Sequence, residues 1–422
     1  MSRDGKLRVV IVGDHASVTG GLAKVALDSA IGLKTAGCEP IVFTAVAPVD
    51  PRLAAAGIET ICLGQQDLLG HGSKVTAALQ GVWNAHAAQA LETLLARLPR
   101  ENTLIHVHGW AKALSGAIAG PIRRSGLPRV FTMHDYFLHC PNGGFFDHQL
   151  GETCHLAPMS RDCWARNCDS RNYPVKLWRN VRQLITQKIA RLEQAFDDFI
   201  LLSDLQRDML APYLPHGARL HRLRNPIEAE RLGPREKLGR QGAAPGDLLF
   251  VGRLSPEKGV MLFAEAARRV GVTPVFIGDG PAAAELAQAY PEARLLGWRS
   301  SAEVRAALRG ARALVFPSLW AETQGMSALE AMAMGAPAIV SDGCAAREWV
   351  ENGVSGLWFK SGDAESLAAA LREMANDERA ASLSRGAYEA YWRDPPTPEA
   401  HVADLLAIYH KIIEAGRRLE SA

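Results

Sequence analysis

Short runs of β-branched and aliphatic residues recur along the chain, separated by Ala- and Leu-rich stretches of helical period, and this alternation limits the fold more than any other feature. One set of strand candidates lies at 7–13, 39–44, 59–63, 104–108, 129–133 and 198–202, and a second at 247–251, 273–277, 293–296, 312–316, 337–341 and 356–359. Strands joined through helices form parallel sheets covered on both faces, because a parallel neighbour is reached only by a crossover. Residues 226–246, between the sets, are rich in Pro, Gly, Arg and Glu and lack apolar periodicity, as an interdomain linker does. The chain therefore reads as α/β, with two tandem doubly wound, Rossmann-like domains at 1–225 and 247–394. A single barrel of eight such units is disfavoured by the long 134–197 segment and by the mid-chain break. After a proline-rich stop at Asp394-Pro395-Pro396-Thr397-Pro398, residues 395–422 hold a last helix with Val402, Leu405, Leu406 and Ile408 at helical spacing. It is expected to cross back to the first domain. Two such domains facing one another place a ligand in the cleft at the carboxyl ends of their strands.

With 422 residues the chain is long enough for two cores, and 47 Lys and Arg against 45 Asp and Glu leave a net charge of +2. That balance offers no general electrostatic footing for nucleic acid, so none is expected as a partner. No apolar run nears the roughly 20 residues of a membrane-spanning helix. The polar residues 1–6 pass straight into a strand, unlike a secretion signal, so a cytoplasmic protein is expected. The seven cysteines are an odd number, with Cys38, Cys62 and Cys344 scattered, which argues against a secreted disulfide framework.

The segment 322–337 is the richest in chemistry. Glu322 falls in the loop after a strand, and the spacing predicts a helix over 327–334, closed by Gly335 and Pro337. The backbone N–H groups of Gly325, Met326 and Ser327 then form an anion site suited to phosphate. Glu330 lies within an otherwise apolar helix, which favours a buried or ligand-paired carboxylate over a solvated one. A second motif follows the strand 247–251: Gly252, Arg253 and Lys258 sit in the loop before the next helix. A guanidinium and an ammonium there suit a departing diphosphate, although a surface turn would carry the same residues. Glycines of Gly278-Asp279-Gly280-Pro281 and Leu296-Gly297-Trp298 would let a planar base approach the backbone, and equally would serve plain tight turns.

In this order and on these elements, the motifs from about Phe250 to Phe359 closely resemble the retaining glycosyltransferases of family four, which have the GT-B fold. Ser341-Asp342-Gly343 and Gly356 complete the match. The resemblance implies a hexosyltransferase-type enzyme that moves a sugar from a nucleotide-diphosphate donor to a hydroxyl of a glycan or lipid-linked acceptor. Assembly of polysaccharide, lipopolysaccharide or another glycoconjugate would be its setting. By the same resemblance Glu330 would bind the donor ribose, Arg253 and Lys258 its diphosphate, and Glu322 the transferred sugar, with the 325–327 amides completing the cradle. Gly20 and Gly21 would form the glycine loop near the donor phosphate, and His134 the cleft histidine. A capped or core-satisfied histidine is the plainer reading of His134. The donor-binding set also takes in Gly252, Gly280, Trp298 and Gln324. The implied route is front-face attack with cationic residues in place of a catalytic metal. A nucleotide-sugar epimerase on the same fold and a non-catalytic sugar-nucleotide-binding protein are the alternatives. Three positions depart from the family pattern: Gln324 stands for an aromatic residue, Asn225-Pro226 for Asn-Gly, and Lys24 for arginine.

An insertion at about 135–175 carries Cys140, Cys154, Cys163 and Cys168. Their number suits a structural zinc, but the tight spacing of a zinc knuckle is missing, so free thiols or one local disulfide are open alternatives. From 161 to 191 there are eight basic residues against two acidic, a net +6, and Trp178, Val181, Ile185, Ile189, Leu192 and Phe196 recur at three and four residues. A core-packed helix with a solvated basic face is expected. The other reading is a patch resting on anionic lipid, with the protein peripheral at the cytoplasmic face of the inner membrane.

Overall fold

The computed structural model describes residues 5–235 and 246–420. Residues 1–4 of the polar start, 236–245 of the expected linker and 421–422 of the final segment lie outside the described residues. Seven parallel strands make the first sheet, in the spatial order Glu59–Gln65, Glu39–Val46, Arg8–His15, Thr103–Val107, Arg129–Thr132, Asp198–Leu201 and Arg219–Arg222. Six make the second, in the order Arg294–Leu295, Pro274–Ile277, Leu248–Val251, Ala313–Phe316, Ala338–Ser341 and Gly356–Phe359. In each, the chain begins in the middle, runs to one edge and returns to build the other, the doubly wound order whose reversal point opens a crevice. The central strand of the first sheet shows why: Val9, Val10, Ile11 and Val12 are all buried, as a strand covered by helices on both faces requires. Beyond the expected strands, the fold adds the edge strand Arg219–Arg222 and a short antiparallel pair, Phe146–Asp147 with Glu152–Thr153.

The last helix, Pro398–Glu420, returns to the first domain. Val402, Leu405, Ile408, Tyr409 and Ile412 are buried with Val9, Ile11, Leu27 and Val42. It packs so closely on the helix Gly21–Thr35 that a Cβ on Gly32 would lie 2.5 Å from Val402 Cγ2. Residues 226–235, from the linker, lie on the second domain, where the Gly233 N–H donates to the Tyr388 hydroxyl at 2.9 Å and Arg235 to the Ala311 carbonyl at 2.6 Å.

The basic segment corrects its expectation. In the helix Tyr173–Ile185 the polar side faces inward: Lys176 is 0% and Arg182 2% exposed, with Asn180 and Gln183 buried beside them. Arg179 pairs with the buried Asp169 at 2.9 Å. The apolar side of this helix faces out, with Val181 and Leu184 exposed and, one turn on, Ile189 at 65%. Leu192 and Phe196 of the expected stripe are instead buried in the core, and Lys188 and Arg191 are exposed as expected. Arg182 stays inside because its guanidinium sits among the rings of Trp110, Phe137 and Trp178 and donates to the Ala111 carbonyl at 2.9 Å. Among the described residues no helix is long and apolar enough to cross a membrane.

Candidate active site

Two strand ends build the C-terminal wall of the cleft. After Leu248–Val251, Gly252 and Arg253 lead into the 3-10 turn Pro256–Lys258, and Gly259 follows at φ +69°. A Cβ on Gly259 would lie 2.0 Å from the Pro317 carbonyl oxygen, so only glycine allows this turn to lie against the neighbouring strand end. The contact brings Lys258 to Glu322: Nζ donates to Oε1, which also accepts from Ser318 Oγ at 3.2 Å. The ammonium stands 5.4 Å from the centre of the Trp320 ring. Glu322 is buried, and Arg253 is exposed.

The helix Met326–Ala333 starts one residue earlier than the sequence predicts, on Gly325 at φ +81°, with no side-chain cap. The helix Gly21–Thr35 starts on Gly20, also without a side-chain cap. These two N-termini meet across the cleft, where a Cβ on Gly21 would lie 3.8 Å from Met326 Sδ. Each helix start leaves N–H groups without helical partners and carries about half a positive charge. Two helix starts facing one cleft suit a diphosphate. Glu330 is half-buried on the second of these helices, and burial raises its carboxyl above the ordinary value, opposed by Lys24 and Arg305. Lys24 comes from the first domain; it holds Asp28 at 2.5 Å and lies 3.9 Å from Glu228.

On the N-terminal side His134 follows the strand Arg129–Thr132, with Nε2 2.9 Å from His108 Nδ1. Burial pushes its imidazole down to about 3, so the ring is neutral. Burial also raises Asp135 to about 6. Both line a pocket of about 150 Å³ with Asp14, Lys112, Gly20 and Gly21. Asp14 accepts the N–H groups of Lys112, Ala113 and Leu114 at 3.0, 2.8 and 3.0 Å, and so holds the loop that carries Lys112. Asp14, His108, Lys112 and Asp135 were not among the expected site residues. Asp14 and His108 stand at or just beyond strand carboxyl ends, and that position alone could have marked them.

Other expected members have different surroundings. The two side-chain polar atoms of Gln324 are spent on Asn225: Oε1 accepts its N–H at 2.6 Å and Nε2 donates to its carbonyl at 3.2 Å. Gly280 serves a backbone crossing, since a Cβ there would lie 2.3 Å from the Leu254 carbonyl oxygen, and Gly278 meets the Gly252 carbonyl in the same way at 1.9 Å. Trp298 is 75% exposed. The four clustered cysteines form no metal-holding group. Lys176 stands among them instead and donates to Cys163 Sγ at 3.5 Å, and no set of three or more His, Cys, Asp or Glu among the described residues could hold a metal ion.

The domains touch around this cleft. Tyr136 donates to the Ala321 carbonyl at 2.8 Å and Thr323 to the His134 carbonyl at 3.3 Å. The sequence model of Glycosyltransferase Family 4 matches residues 19–231, and that of Glycosyl transferases group 1 matches 245–377. The chain belongs to glycosyltransferase family four. It is similar to a glycogen synthase of Mycobacterium tuberculosis, 30% identical over 275 residues, 61% of this chain and 63% of that relative, so the match spans less than two thirds of that protein. It is also similar to the UDP-Gal:alpha-D-GlcNAc-diphosphoundecaprenol alpha-1,3-galactosyltransferase of Escherichia coli, 26% identical over 65% of this chain and 67% of that one. Among solved structures, the sucrose-phosphate synthase of Thermosynechococcus elongatus has the same fold, with a TM-score of 0.70 at 19% identity over 97% of this chain and all of the other. So has Anabaena HepE, solved with UDP and glucose, with a TM-score of 0.65 at 14% identity over 96% of this chain and all of that one. This family-four protein thus has two Rossmann-like domains whose strand ends face one cleft.

Proposed function

We propose that this family-four protein is a retaining glycosyltransferase that moves a sugar from a nucleotide-diphosphate donor to a hydroxyl acceptor. The observation that carries the reading is the meeting of two uncapped helix N-termini, at Gly20–Gly21 and Gly325–Ser327, beside Lys258 and Glu322. The amides would hold the diphosphate, Lys258 and Arg253 would offset the charge on its departing oxygen, and Glu322 would bind hydroxyls of the transferred sugar. Glu330 would take the ribose. In front-face transfer the bond from the anomeric carbon to the phosphate oxygen breaks as the acceptor oxygen bonds on the same face. The acceptor proton passes to the departing phosphate oxygen. No carboxylate nucleophile is needed, unlike in a retaining hydrolase. The second domain would serve the donor and the first the acceptor. Release of nucleoside diphosphate from a donor panel, with and without acceptors, tests this: an epimerase converts donor without acceptor, and a binding protein releases nothing.

Contact with an anionic lipid surface is a second part of the proposal, and it rests on the outward apolar face rather than on a basic one. Leu69, Val75 and Leu79 stand exposed beside Val181, Leu184 and Ile189, since the helix Lys74–Val82 packs on Tyr173–Ile185, where Trp178 donates to the Ala78 carbonyl. Lys74 on the first of these helices, and Lys188 and Arg191 just beyond the second, are exposed. Apolar side chains among cations suit insertion between anionic headgroups. The face adjoins the N-terminal pocket, because the Leu68 N–H donates to the Lys112 carbonyl at 3.0 Å and Asp67 lies 3.2 Å from His15. A lipid-linked acceptor would reach the pocket from there.

A further inference from the structure

Behind the cleft lies a polar cluster that the proposed reaction does not use. His106 and His108 are both buried at the end of the strand Thr103–Val107. Both nitrogens of His106 are taken, Nδ1 by the Tyr409 hydroxyl and Nε2 by the Thr132 hydroxyl, each at 2.6 Å. Its ring centre lies 3.9 Å from that of His108, whose own ring lies nearly coplanar with His134, centres 5.2 Å apart and planes at 20°. His108 thus has the His106 ring close beside it and one hydrogen bond, between its Nδ1 and His134 Nε2. Its Nε2 is buried without a partner.

That asymmetry sets the protons of the pair. Between two neutral rings one nitrogen must donate and the other accept. If His134 donated, His108 would carry its own proton on Nε2, a buried N–H with no acceptor. If His108 donates from Nδ1, its Nε2 is a bare lone pair. Buried orphan N–H groups are the rarer and costlier of the two. The second arrangement leaves His134 protonated on Nδ1, the nitrogen not engaged with His108.

We propose that His108 is a positioning residue that fixes His134 in the Nδ1–H tautomer, so that the cleft histidine donates a hydrogen bond to the donor sugar or its leaving phosphate and does not act as a base. This rests on the reading of the cleft as a donor site. His134 is then an electrostatic partner of charge that develops on oxygen, and its neutrality serves that role because a neutral N–H can donate without attracting the acceptor's proton.

Two-bond proton–nitrogen correlation spectra of the protein labelled with 15N-histidine read the tautomer directly, with the His134 signals identified by their loss in His134→Gln. The wild type is expected to show His134 protonated on Nδ1. His108→Asn places a side-chain N–H where the histidine Nδ1–H was, and should keep that tautomer and a turnover within about threefold of wild type. His108→Leu should lose both, with kcat down about ten- to a hundredfold and donor KM nearly unchanged. His134 protonated on Nε2 in the wild type overturns the proposal, as does normal kcat in a folded His108→Leu. Absence of turnover with every donor in the wild type would instead fail the glycosyltransferase reading, and the spectrum would still decide the tautomer.

Discussion

Gln324 and Asn225 clasp one another across the domain junction, the amide side chain of one against both backbone groups of the other. Gln324 is one of the positions at which the sequence departs from its family's pattern, and Asn225 immediately precedes another, Pro226. Trp349 adds a hydrogen bond to the Gln324 carbonyl at 2.8 Å.

Gln324→Leu would leave the buried Asn225 N–H without an acceptor, at a cost of about 1–3 kcal/mol. Urea unfolding should show the loss in the midpoint with little change in slope. Unchanged stability would mean that the clasp is incidental.

Lys258→Ala and Glu322→Ala should each lower turnover by at least about a hundredfold, from lost charge stabilisation and positioning. Steady-state kinetics on folded variants checks this. Near-normal turnover in both would remove them from the site.

Stability should fall as the solution is acidified below neutral pH. His106, His108, His134, His139, His148 and His401 all have imidazoles pushed below the ordinary value, chiefly by burial, to about 3 in His134 and about 4 in His139. Unfolding frees them to bind protons near pH 6.5, so their contribution is whole above that value and shrinks as pH falls toward the folded values. Asp135, raised to about 6, works the other way: the folded chain holds its proton between about 4 and 6, so its contribution grows on acidification. Glu193 and Glu330, also raised by burial, act as Asp135 does. With six histidines against three carboxyls the histidines prevail, each by up to about 1.4 kcal/mol per pH unit. A urea midpoint that stays flat or rises from pH 7.5 to 5.5 would contradict this.

Vesicles containing anionic lipid should carry the protein upward in flotation at low salt, and Val181→Asp with Ile189→Asp should abolish it. Flotation that survives the double substitution, or fails in the wild type, counts against the lipid-facing surface.

The sheets were legible because strand-forming runs between amphipathic stretches leave few other arrangements, and the central strands are apolar on both faces. The edge strand Arg219–Arg222 was not, since its Arg-Leu-His-Arg pattern carries no apolar signal and its pairing comes from Asp198–Leu201. Lys258, Glu322 and Gly325 could be placed by their strand-end positions. The helix Tyr173–Ile185 misled for a physical reason: periodicity shows that two faces differ, and which one turns inward was decided by Asp169 and the aromatic rings awaiting its arginines. His108 escaped because its meaning lies in a contact 26 residues away.

The central claim is transfer with retention at this cleft, and product analysis tests it most directly. A 13C-labelled α-linked nucleotide sugar incubated with acceptor should yield equal amounts of free nucleoside diphosphate and an α-linked product by NMR, and neither in Lys258→Ala. A β-linked product, or a donor epimerised without acceptor, would contradict the account.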